Sequence, residues 1–397
     1  METMKNGRAK LLDTPESLQR ELGYYHTLRE IWQQPATWVA TAQNALSHLD
    51  ALRASVEGSQ AIVLTGSGSS LYAGECLAPA LQAELRVPVE AIAGGTLLTR
   101  GRRAVPPRTP CLLVSLARSG DSPESTGVVD AFLNCGGEYR HVIVTCNEAG
   151  RLAVAYRFDS RVLPVLLDDR TCDRSLVMTS SFTNLLLAAR LLGMLDRAAA
   201  YQTLVGDLSR VAREVLEART GPLAEAGHQD FQFAVFLGSG CRFGAAREAA
   251  LKMLEMTAGR VRTMAETYLG LRHGPMAAIH ADTVIVCFLS SNPKVRAYEE
   301  DLIEELNRKR LGARKIVVGD QIPARLLAAG DLAIECPGLA AVGDDNSPVI
   351  DVLVAQLLAF HRCLALGLRP DAPSEGDVIH RVVENFRIHA PAAELTR

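Results

Sequence analysis

The chain has 397 residues, a formal net charge of -3, 48% hydrophobic residues and nine cysteines. This length predicts two or three domains with sizeable cores. No cluster of Lys and Arg dominates, which disfavours a nucleic-acid or anionic-membrane partner. No apolar run is long enough to span a membrane, and the first residues are not followed by the apolar core of a secretory signal. The cysteines are scattered, odd in number and without metal-ligand spacing, so we expect buried, reduced thiols in a cytoplasmic protein.

The first part of the chain is predicted to be helical, with apolar residues at helical spacing over 18–28 and 37–52 and Pro35 between them. From residue 61 onward, short β-rich runs alternate with helical stretches, which predicts parallel strands covered by helices on both faces. The first set of strands is predicted at 61–65, 88–92, 111–115, 141–145 and 162–167. The long stretch 176–195 closes this set, and a helix over 199–218 leads onward.

A second set of strands is predicted at 231–237, 261–265, 283–289, 314–318 and 332–336. It closes with a helix over 349–366, and the Pro-rich tail becomes apolar-periodic over 378–386. The two sets repeat each other, because Gly66 and Gly238 lie 172 positions apart and the same offset carries Ser119 onto Ser291. Elements that recur in order at one offset indicate two copies of one fold.

The predicted fold is therefore α/β, with two tandem doubly wound parallel sheets of the flavodoxin-like three-layer αβα type after an N-terminal helical segment. The expected limits are 1–45 for the helical segment, 46–200 and 215–368 for the two domains, and 369–397 for the tail.

Two loops of small residues follow predicted strands of the first copy. The loop 66–70 (GSGSS) contains glycines that let the backbone approach a ligand, and hydroxyls that suit an anion. Its alternative reading is a plain strand-to-helix turn. The loop 115–125 (SLARSGDSPES) has the composition of a phosphate cradle without the lysine of nucleotide-hydrolysing loops. Its alternative is that Ser119 and Ser122 only cap a helix. Ligands of open α/β sheets bind beyond the carboxyl ends of strands, where both loops fall.

The second copy has lost most of these hydroxyls at the equivalent loop, 290–293 (SSNP), so it is expected to supply something other than phosphate binding. Lys252 and Glu255 lie three apart on one helix face beside apolar residues, where a carboxylate could transfer a proton. Spacing alone favours the alternative, a surface ion pair. His273 precedes Gly-Pro and is predicted at a turn that could aim the imidazole into a cleft, although a lone loop histidine is usually a surface residue.

These residues resemble the tandem sugar-isomerase (SIS) domain family. The match runs from 29–35 (REIWQQP) through both glycine loops. The strings 118–125 (RSGDSPES) and 266–275 (ETYLGLRHGP) are similar to the galactosamine-6-phosphate deaminase/isomerases, formerly called tagatose-6-phosphate ketose/aldose isomerases. The isomerase half of glucosamine-6-phosphate synthase is a more distant resemblance.

The resemblance implies a role for each candidate residue. It implies a phosphate held around Ser119 and Ser122, with the flanking Arg118 beside them and Ser69 and Ser70 lining the same pocket. Glu255 matches the proton-shuttling glutamate, with Lys252 one turn before it, and His273 matches the ring-opening histidine, which the synthase takes from a neighbouring subunit. Thr179 and Ser180 match a segment that contacts the sugar. The synthase also has a lysine near its C-terminus, for which this chain offers His380 or Arg381.

The resemblance thus implies a cofactor-free and metal-free enzyme, expected as a homodimer or higher homo-oligomer, that acts on a small sugar phosphate. With Cys76 as its first cysteine, the chain offers no N-terminal nucleophile for cleaving glutamine, so we expect deamination of D-galactosamine 6-phosphate to tagatose 6-phosphate. Two alternatives stay open: isomerisation of an unaminated sugar phosphate, and a sugar-phosphate-sensing protein without catalysis.

Overall fold

The computed structural model describes residues 11–374, 376, 378–383 and 387–389, so part of the predicted N-terminal segment and of the tail lies outside the described residues. The chain forms two compact units. The first unit contains Ala36–Asp173, Ser180–Val205 and the chain from Ile379. The second unit contains the chain up to Pro35, Arg174–Thr179 and Gly206–Val378. The contiguous domain limits drawn from the sequence stay a prediction.

The first unit is built on a five-stranded parallel sheet in the order β2-β1-β3-β4-β5. Its strands are β1 (Ala61–Gly66), β2 (Val89–Ala93), β3 (Cys111–Ala117), β4 (Tyr139–Thr145) and β5 (Val162–Leu166). β1 and β3 are almost wholly buried, as expected for a parallel sheet covered on both faces. The five predicted strands are confirmed.

The second unit repeats this sheet in the order β10-β9-β8-β6-β7. Its strands are β6 (Phe233–Leu237), β7 (Arg262–Glu266), β8 (Thr283–Phe288), β9 (Arg314–Gly319) and β10 (Leu332–Glu335). The pairing of residues across neighbouring strands repeats at the offset of 172 positions. Ala61 lies opposite Cys111 in the first sheet, and Phe233 lies opposite Thr283 in the second. The predicted duplication is therefore confirmed at the level of strand register.

The described α-helices complete both units. In the first half of the chain they are α1 (Glu16–Glu21), α2 (Tyr25–Trp32), α3 (Gln34–Ser47), α4 (Leu49–Val56), α5 (Ser69–Leu85), α6 (Gly94–Arg100), α7 (Pro123–Asn134), α8 (Arg151–Ala155) and α9 (Ser180–Arg190). In the second half they are α10 (Ala198–Ala218), α11 (Thr220–His228), α12 (Cys241–Met256), α13 (Tyr268–Leu271), α14 (Pro293–Lys309), α15 (Leu339–Val342) and α16 (Pro348–Ala365). Single 3-10 turns lie at Gly101–Ala104, Asp169–Thr171, Leu191–Gly193, Pro275–Ala278 and Ala324–Leu326.

The N-terminal helices differ from the prediction in where they break. The stretch 18–28 is divided between α1 and α2, because the chain turns at Gly23, which has φ +72°. Pro35 does not separate two helices. It lies in the first turn of α3, where a missing backbone N–H costs no helical hydrogen bond.

Helix α16 is the most apolar helix described. It is long and apolar enough to pass a membrane-span test, but 89% of that window is buried inside the protein, which is typical of a core helix. All nine cysteines are free thiols, and seven of them are buried, Cys135 and Cys172 being partly exposed. The predicted burial of the thiols is thus confirmed for seven of the nine cysteines.

His141 on β4 is a buried histidine inside the first sheet. Its side chain is 1% exposed and neither ring nitrogen has a hydrogen-bond partner in the described chain. Burial, assisted by the nearby charge of Arg161, lowers the pKa of His141 from 6.5 to about 4. Between pH 6.5 and about pH 4, His141 therefore binds a proton in the unfolded chain but not in the folded chain. The free energy of unfolding decreases as the pH falls through this range.

We predict that this histidine alone lowers the free energy of unfolding by about 2 kcal/mol between about pH 7.5 and about pH 5. Urea unfolding of the wild type and of His141→Leu at both pH values measures the difference. The variant should lose about 2 kcal/mol less than the wild type over this interval. Equal losses in the two proteins would show that the pKa of His141 is the same in the folded and the unfolded chain, which would contradict the effect of burial.

Candidate active site

The glycine loop of the first unit turns directly from β1 into α5. A Cβ atom added to Gly66 would lie 2.5 Å from the Cβ of Ser70, so the backbone passes too close for any side chain there. Gly68 has φ +56°, a conformation that favours glycine. Ser69 and Ser70 begin α5 and are each 5% exposed. The loop thus places two hydroxyls and the first N–H groups of a helix at the carboxyl end of β1.

The second hydroxyl loop of the first unit lies beside it, because β3 pairs directly with β1. Arg118 and Ser119 follow β3 and are each 8% exposed. Ser122 occupies the residue before α7, yet its side chain makes no capping hydrogen bond. The capping alternative is therefore wrong for Ser122. The Asn147 side chain fixes the loop by donating to the backbone oxygen of Ser119 at 2.8 Å.

Residues of the C-terminal tail contact this loop within the first unit. Arg118 Nη2 donates to the backbone oxygen of Arg381 at 2.7 Å. Arg381 Nε donates to the backbone oxygen of Asp173 at 2.7 Å, and its Nη2 lies 3.1 Å from Cys172 Sγ. The guanidinium of Arg381 is thus engaged in holding the tail, whereas the side chain of His380 is exposed. The role of either residue in ring opening stays a prediction.

Thr179 and Ser180 lie at the start of α9 and are both fully buried. Ser180 N donates to the Asp173 carboxylate at 3.1 Å, which anchors the first turn of the helix. The backbone oxygen of Thr179 accepts from Gln356 Nε2 at 3.1 Å. Their contact with a sugar, implied by the resemblance, stays a prediction.

The acid–base candidates of the second unit lie on α12. Lys252 is fully buried, and its ammonium donates to Glu255 Oε2 and lies 3.5 Å from Glu248 Oε1. Glu248 is also fully buried, whereas the Glu255 side chain is 24% exposed. The surface-pair alternative is therefore wrong, because an ammonium without water contact lies between two carboxylates. Of the two carboxylates, Glu255 is the one that a ligand can reach.

Glu248 is the residue of this group that the sequence interpretation missed. Its signal was present in the spacing, because Glu248, Lys252 and Glu255 are four and three residues apart and so share one helix face. The signal could not be separated from an exposed charge run, because neighbouring Ala and Leu residues fit a buried or an exposed helix equally well.

His273 lies on an exposed turn after α13, as predicted. Its N–H donates to the backbone oxygen of Gly270 at 2.9 Å, and Gly274 with φ +128° redirects the chain into the next 3-10 turn. Tyr268 fixes this segment to the end of β8, since its buried hydroxyl donates to the backbone oxygen of Phe288 at 3.0 Å. The imidazole is thus presented to solvent from a fixed turn.

The equivalent serine loop of the second unit is already occupied by one of the chain's own carboxylates. Asp344 accepts hydrogen bonds from Ser291 N at 2.8 Å and from Ser291 Oγ at 2.9 Å, and also from the hydroxyl of Ser290. Ser290 N donates to the fully buried Glu299 at 2.6 Å, and burial raises the pKa of this carboxyl. These contacts engage the donors that would otherwise face an anion.

The glycine loop of the second unit is filled as well. The offset places Arg242 where the first unit has Ser70, and the Arg242 side chain is 1% exposed. It forms a bidentate pair with Asp351 at 2.7 and 2.6 Å. Burial opposes the charge, but the Asp351 carboxylate raises the pKa of Arg242 above its ordinary value. The structure thus supports the expectation that the second unit serves a purpose other than phosphate binding.

The candidates fall into two sets. Within the first unit, the neighbouring strands β1 and β3 bring the two hydroxyl loops to one edge of the sheet. Within the second unit, one face of α12 brings Glu248, Lys252 and Glu255 together, and His273 follows α13. Among the described residues, no group of three or more His, Cys, Asp or Glu side chains could hold a metal ion.

Removal of the buried ammonium should destabilise the second unit strongly. We predict that Lys252→Met lowers the free energy of unfolding by about 3–5 kcal/mol, because it removes the ammonium of a fully buried ion pair, 3.5 Å from Glu248 Oε1. Lys309→Met is the matched control. Lys309 pairs with Glu305 at 2.6 Å but is 52% exposed, and such a pair contributes under about 1 kcal/mol.

Urea unfolding followed by circular dichroism measures both changes. Adding Glu248→Gln to Lys252→Met should recover part of the loss, since the second change replaces the carboxyl of the buried ion pair by a neutral amide. Equal effects of the Lys252 and Lys309 changes would contradict the buried arrangement.

No protein-family model matches the chain. Curated relatives, however, match nearly its whole length. An AgaS protein of Streptomyces coelicolor, assigned as a D-galactosamine-6-phosphate deaminase, is 37% identical over 388 residues, which cover 95% of this chain and 98% of the relative. The D-galactosamine-6-phosphate deaminase AgaS of Escherichia coli is 32% identical over 384 residues, which cover 91% of this chain and 95% of the relative.

Solved structures also match nearly the whole chain. A Clostridium novyi NT protein assigned as a tagatose-6-phosphate ketose/aldose isomerase has a TM-score of 0.88 at 31% identity, covering 96% of this chain and 99% of that one. Tagatose-6-phosphate ketose/aldose isomerase from Escherichia coli has a TM-score of 0.81 at 29% identity, covering 92% and 96%. The C-terminal domain of glucosamine-fructose-6-phosphate aminotransferase from Francisella tularensis shares the fold, with a TM-score of 0.75 at 19% identity over 88% and 98% of the two chains. Because identity reaches 32–37% over almost the full length of both chains, the chain belongs to the AgaS family of D-galactosamine-6-phosphate deaminases, which have the tandem sugar-isomerase fold.

Proposed function

We propose that the chain is a cytoplasmic enzyme that converts D-galactosamine 6-phosphate and water into tagatose 6-phosphate and ammonia. The observation that carries this proposal is the group on α12, where Lys252 holds a partly exposed Glu255 against a fully buried Glu248. A purely sensing protein has no need for a buried charge group with one reachable carboxylate. The near full-length match to the AgaS deaminases supports the same conclusion.

The phosphate of the substrate is assigned to the two hydroxyl loops of the first unit. Ser69 and Ser70 offer hydroxyls and N–H groups at the start of α5, and Ser119 and Ser122 offer hydroxyls before α7. Arg118 adds the positive charge, because its guanidinium lies next to this loop. Binding at the phosphate end fixes the sugar in one register, so that remote binding energy orients C1 and C2 for reaction.

The proton transfer is assigned to Glu255. In the open-chain aminoaldose, the Glu255 carboxylate removes the proton from C2. The electron pair forms the C1–C2 double bond of an enolamine while the C1 carbonyl oxygen takes up a proton from water. The same carboxyl returns its proton to C1 and the nitrogen gives a proton back to the water, which leaves an imine at C2 and a hydroxyl at C1. Water then hydrolyses the imine to the ketose and ammonia. The Lys252 ammonium, held in turn by Glu248, fixes the Glu255 carboxylate for both transfers.

Ring opening is assigned to His273, because the exposed turn can present its imidazole to the ring oxygen or the C1 hydroxyl of the pyranose. Thr179 and Ser180 are assigned to the sugar hydroxyls on the basis of the resemblance alone. The homodimer expected from the resemblance, with His273 acting in its own or the neighbouring subunit, belongs to the same proposal.

A second candidate is an aldose/ketose isomerase for tagatose 6-phosphate. It is favoured by the ketose/aldose isomerase activity assigned to the structural relatives from Clostridium novyi NT and Escherichia coli. The acid–base group on α12 would serve either reaction, since both move a proton between C1 and C2.

An assay of ammonia release separates these functions. We predict ammonia from D-galactosamine 6-phosphate, less from D-glucosamine 6-phosphate, and no aldose from tagatose 6-phosphate alone. The control is a parallel assay with unphosphorylated galactosamine, which lacks the group that the hydroxyl loops would bind. Interconversion of tagatose 6-phosphate without any ammonia from either amino sugar would favour the isomerase and refute the deaminase.

Replacement of the shuttling carboxylate should affect turnover and not binding. We predict that Glu255→Gln lowers kcat by about 10²–10⁴-fold, because general acid–base catalysis contributes about this much. Binding of D-galactosamine 6-phosphate, measured by calorimetry, should change little. Glu304→Gln on α14 is the control, because this glutamate is 39% exposed and should leave kcat unchanged. Unchanged turnover in Glu255→Gln would remove Glu255 from the mechanism.

A further inference from the structure

A water-sized cavity lies beneath the two hydroxyl loops of the first unit. Its volume is about 10 Å³, close to the minimum that holds one water molecule, about 10–15 Å³ on the same measure. It is lined by residues at the carboxyl ends of β1 and β3, by the residue that follows β2 and by α7. These lining residues are Thr65, Gly66, Ser67, Gly94, Ser115, Leu116, Ser125 and Val128.

Two hydroxyls that line this cavity have no partner in the described chain. Thr65 and Ser115 are each 4% exposed, and neither Thr65 Oγ1 nor Ser115 Oγ makes a hydrogen bond. The two residues lie directly opposite each other on the paired strands β1 and β3. A buried hydroxyl left without a hydrogen bond costs about 1–3 kcal/mol, so two of them facing one polar cavity point to a ligand within it.

The second unit shows that the fold itself does not need these hydroxyls. The offset of the repeat places Leu237 at the position of Thr65 and Cys287 at the position of Ser115, and the same register pairs the two. Both are fully buried and belong to the hydrophobic core of the second unit. The polar pair is therefore particular to the first unit, the one in which the serine loops are not filled by a carboxylate of the chain.

We infer that Thr65 and Ser115 are positioning residues for phosphate binding and that they act through one buried water molecule held between their hydroxyls. The inference deepens the proposed function, since it rests on the first unit binding the phosphate of a sugar phosphate. The water links the ends of β1 and β3, from which the two hydroxyl loops start. The ends of the two strands lie close together, because a Cβ atom on Gly66 would be only 3.1 Å from the backbone oxygen of Leu116.

The test uses the full chain with Thr65→Val, Ser115→Ala and the double variant. Loss of each hydroxyl removes one hydrogen bond to the water and should raise KM for D-galactosamine 6-phosphate about 3–10-fold, with kcat changed less than about twofold. Thr65→Ser keeps the hydroxyl and should retain the wild-type KM. A crystal structure of the wild type should show one ordered water within hydrogen-bond distance of both oxygens.

Cys287→Ala is the matched control, because it changes the position equivalent to Ser115 in the second unit. This truncation should lower the thermal midpoint and leave KM unchanged. Equal KM values in Thr65→Val, Ser115→Ala and the wild type would overturn the inference. An equal rise of KM in Cys287→Ala would also overturn it, since the effect would then report general destabilisation.

Calorimetric titration with inorganic phosphate separates this inference from the proposed reaction. If the wild type releases no ammonia but binds phosphate, and Thr65→Val and Ser115→Ala bind it about 3–10-fold more weakly, the reaction is wrong and the positioning role holds. If the wild type binds no phosphate, the two hydroxyl loops are not a phosphate site that Thr65 and Ser115 could position, and the inference fails.

Discussion

The close passage of the backbone at the turn after the first strand of each sheet is the constraint on which both units depend. A Cβ atom on Gly66 would meet the Cβ of Ser70 at 2.5 Å, and one on Gly238 would meet the backbone oxygen of Arg242 at 2.3 Å. The next glycines, Gly68 and Gly240, have φ values of 56° and 57°. These positions tolerate only glycine, and the turn delivers the fifth loop residue to the same place in both units.

The residue at the fifth loop position, Ser70 in the first unit and Arg242 in the second, distinguishes the two loops. Ser70 leaves a small hydroxyl beside the open hydroxyl loop of the first unit. Arg242 fills the equivalent space with a guanidinium that is paired to Asp351, while Asp344 takes the donors of Ser291. A carboxylate of the chain thus occupies the position that an external anion would need. Duplication supplied one geometry twice, and in the second unit the chain's own carboxylates engage the loop donors.

The group on α12 shows how burial changes the properties of a common sequence pattern, a Glu–Lys pair at helical spacing. An exposed Glu–Lys pair at helical spacing contributes little, because water screens it and the side chains move freely. Lys252 has no such freedom, since its ammonium is fully buried between Glu248 and Glu255. The resulting carboxylate is fixed in place yet 24% exposed, which suits repeated proton transfer to a bound sugar. Stability and the proposed catalysis therefore draw on the same charges.

The sequence by itself determined the two parallel sheets, their repeat at an offset of 172 and the turn that carries His273, because hydrophobic periodicity and glycine placement act over a few residues. It could not place the breaks between α1 and α2, where Gly23 turns the chain. Only the tertiary structure decided that Lys252 is buried, that Glu248 joins it and that Asp344 occupies the Ser291 loop. Burial and the pairing of charges depend on segments that are distant in sequence, and spacing along one helix carries no record of what packs against it.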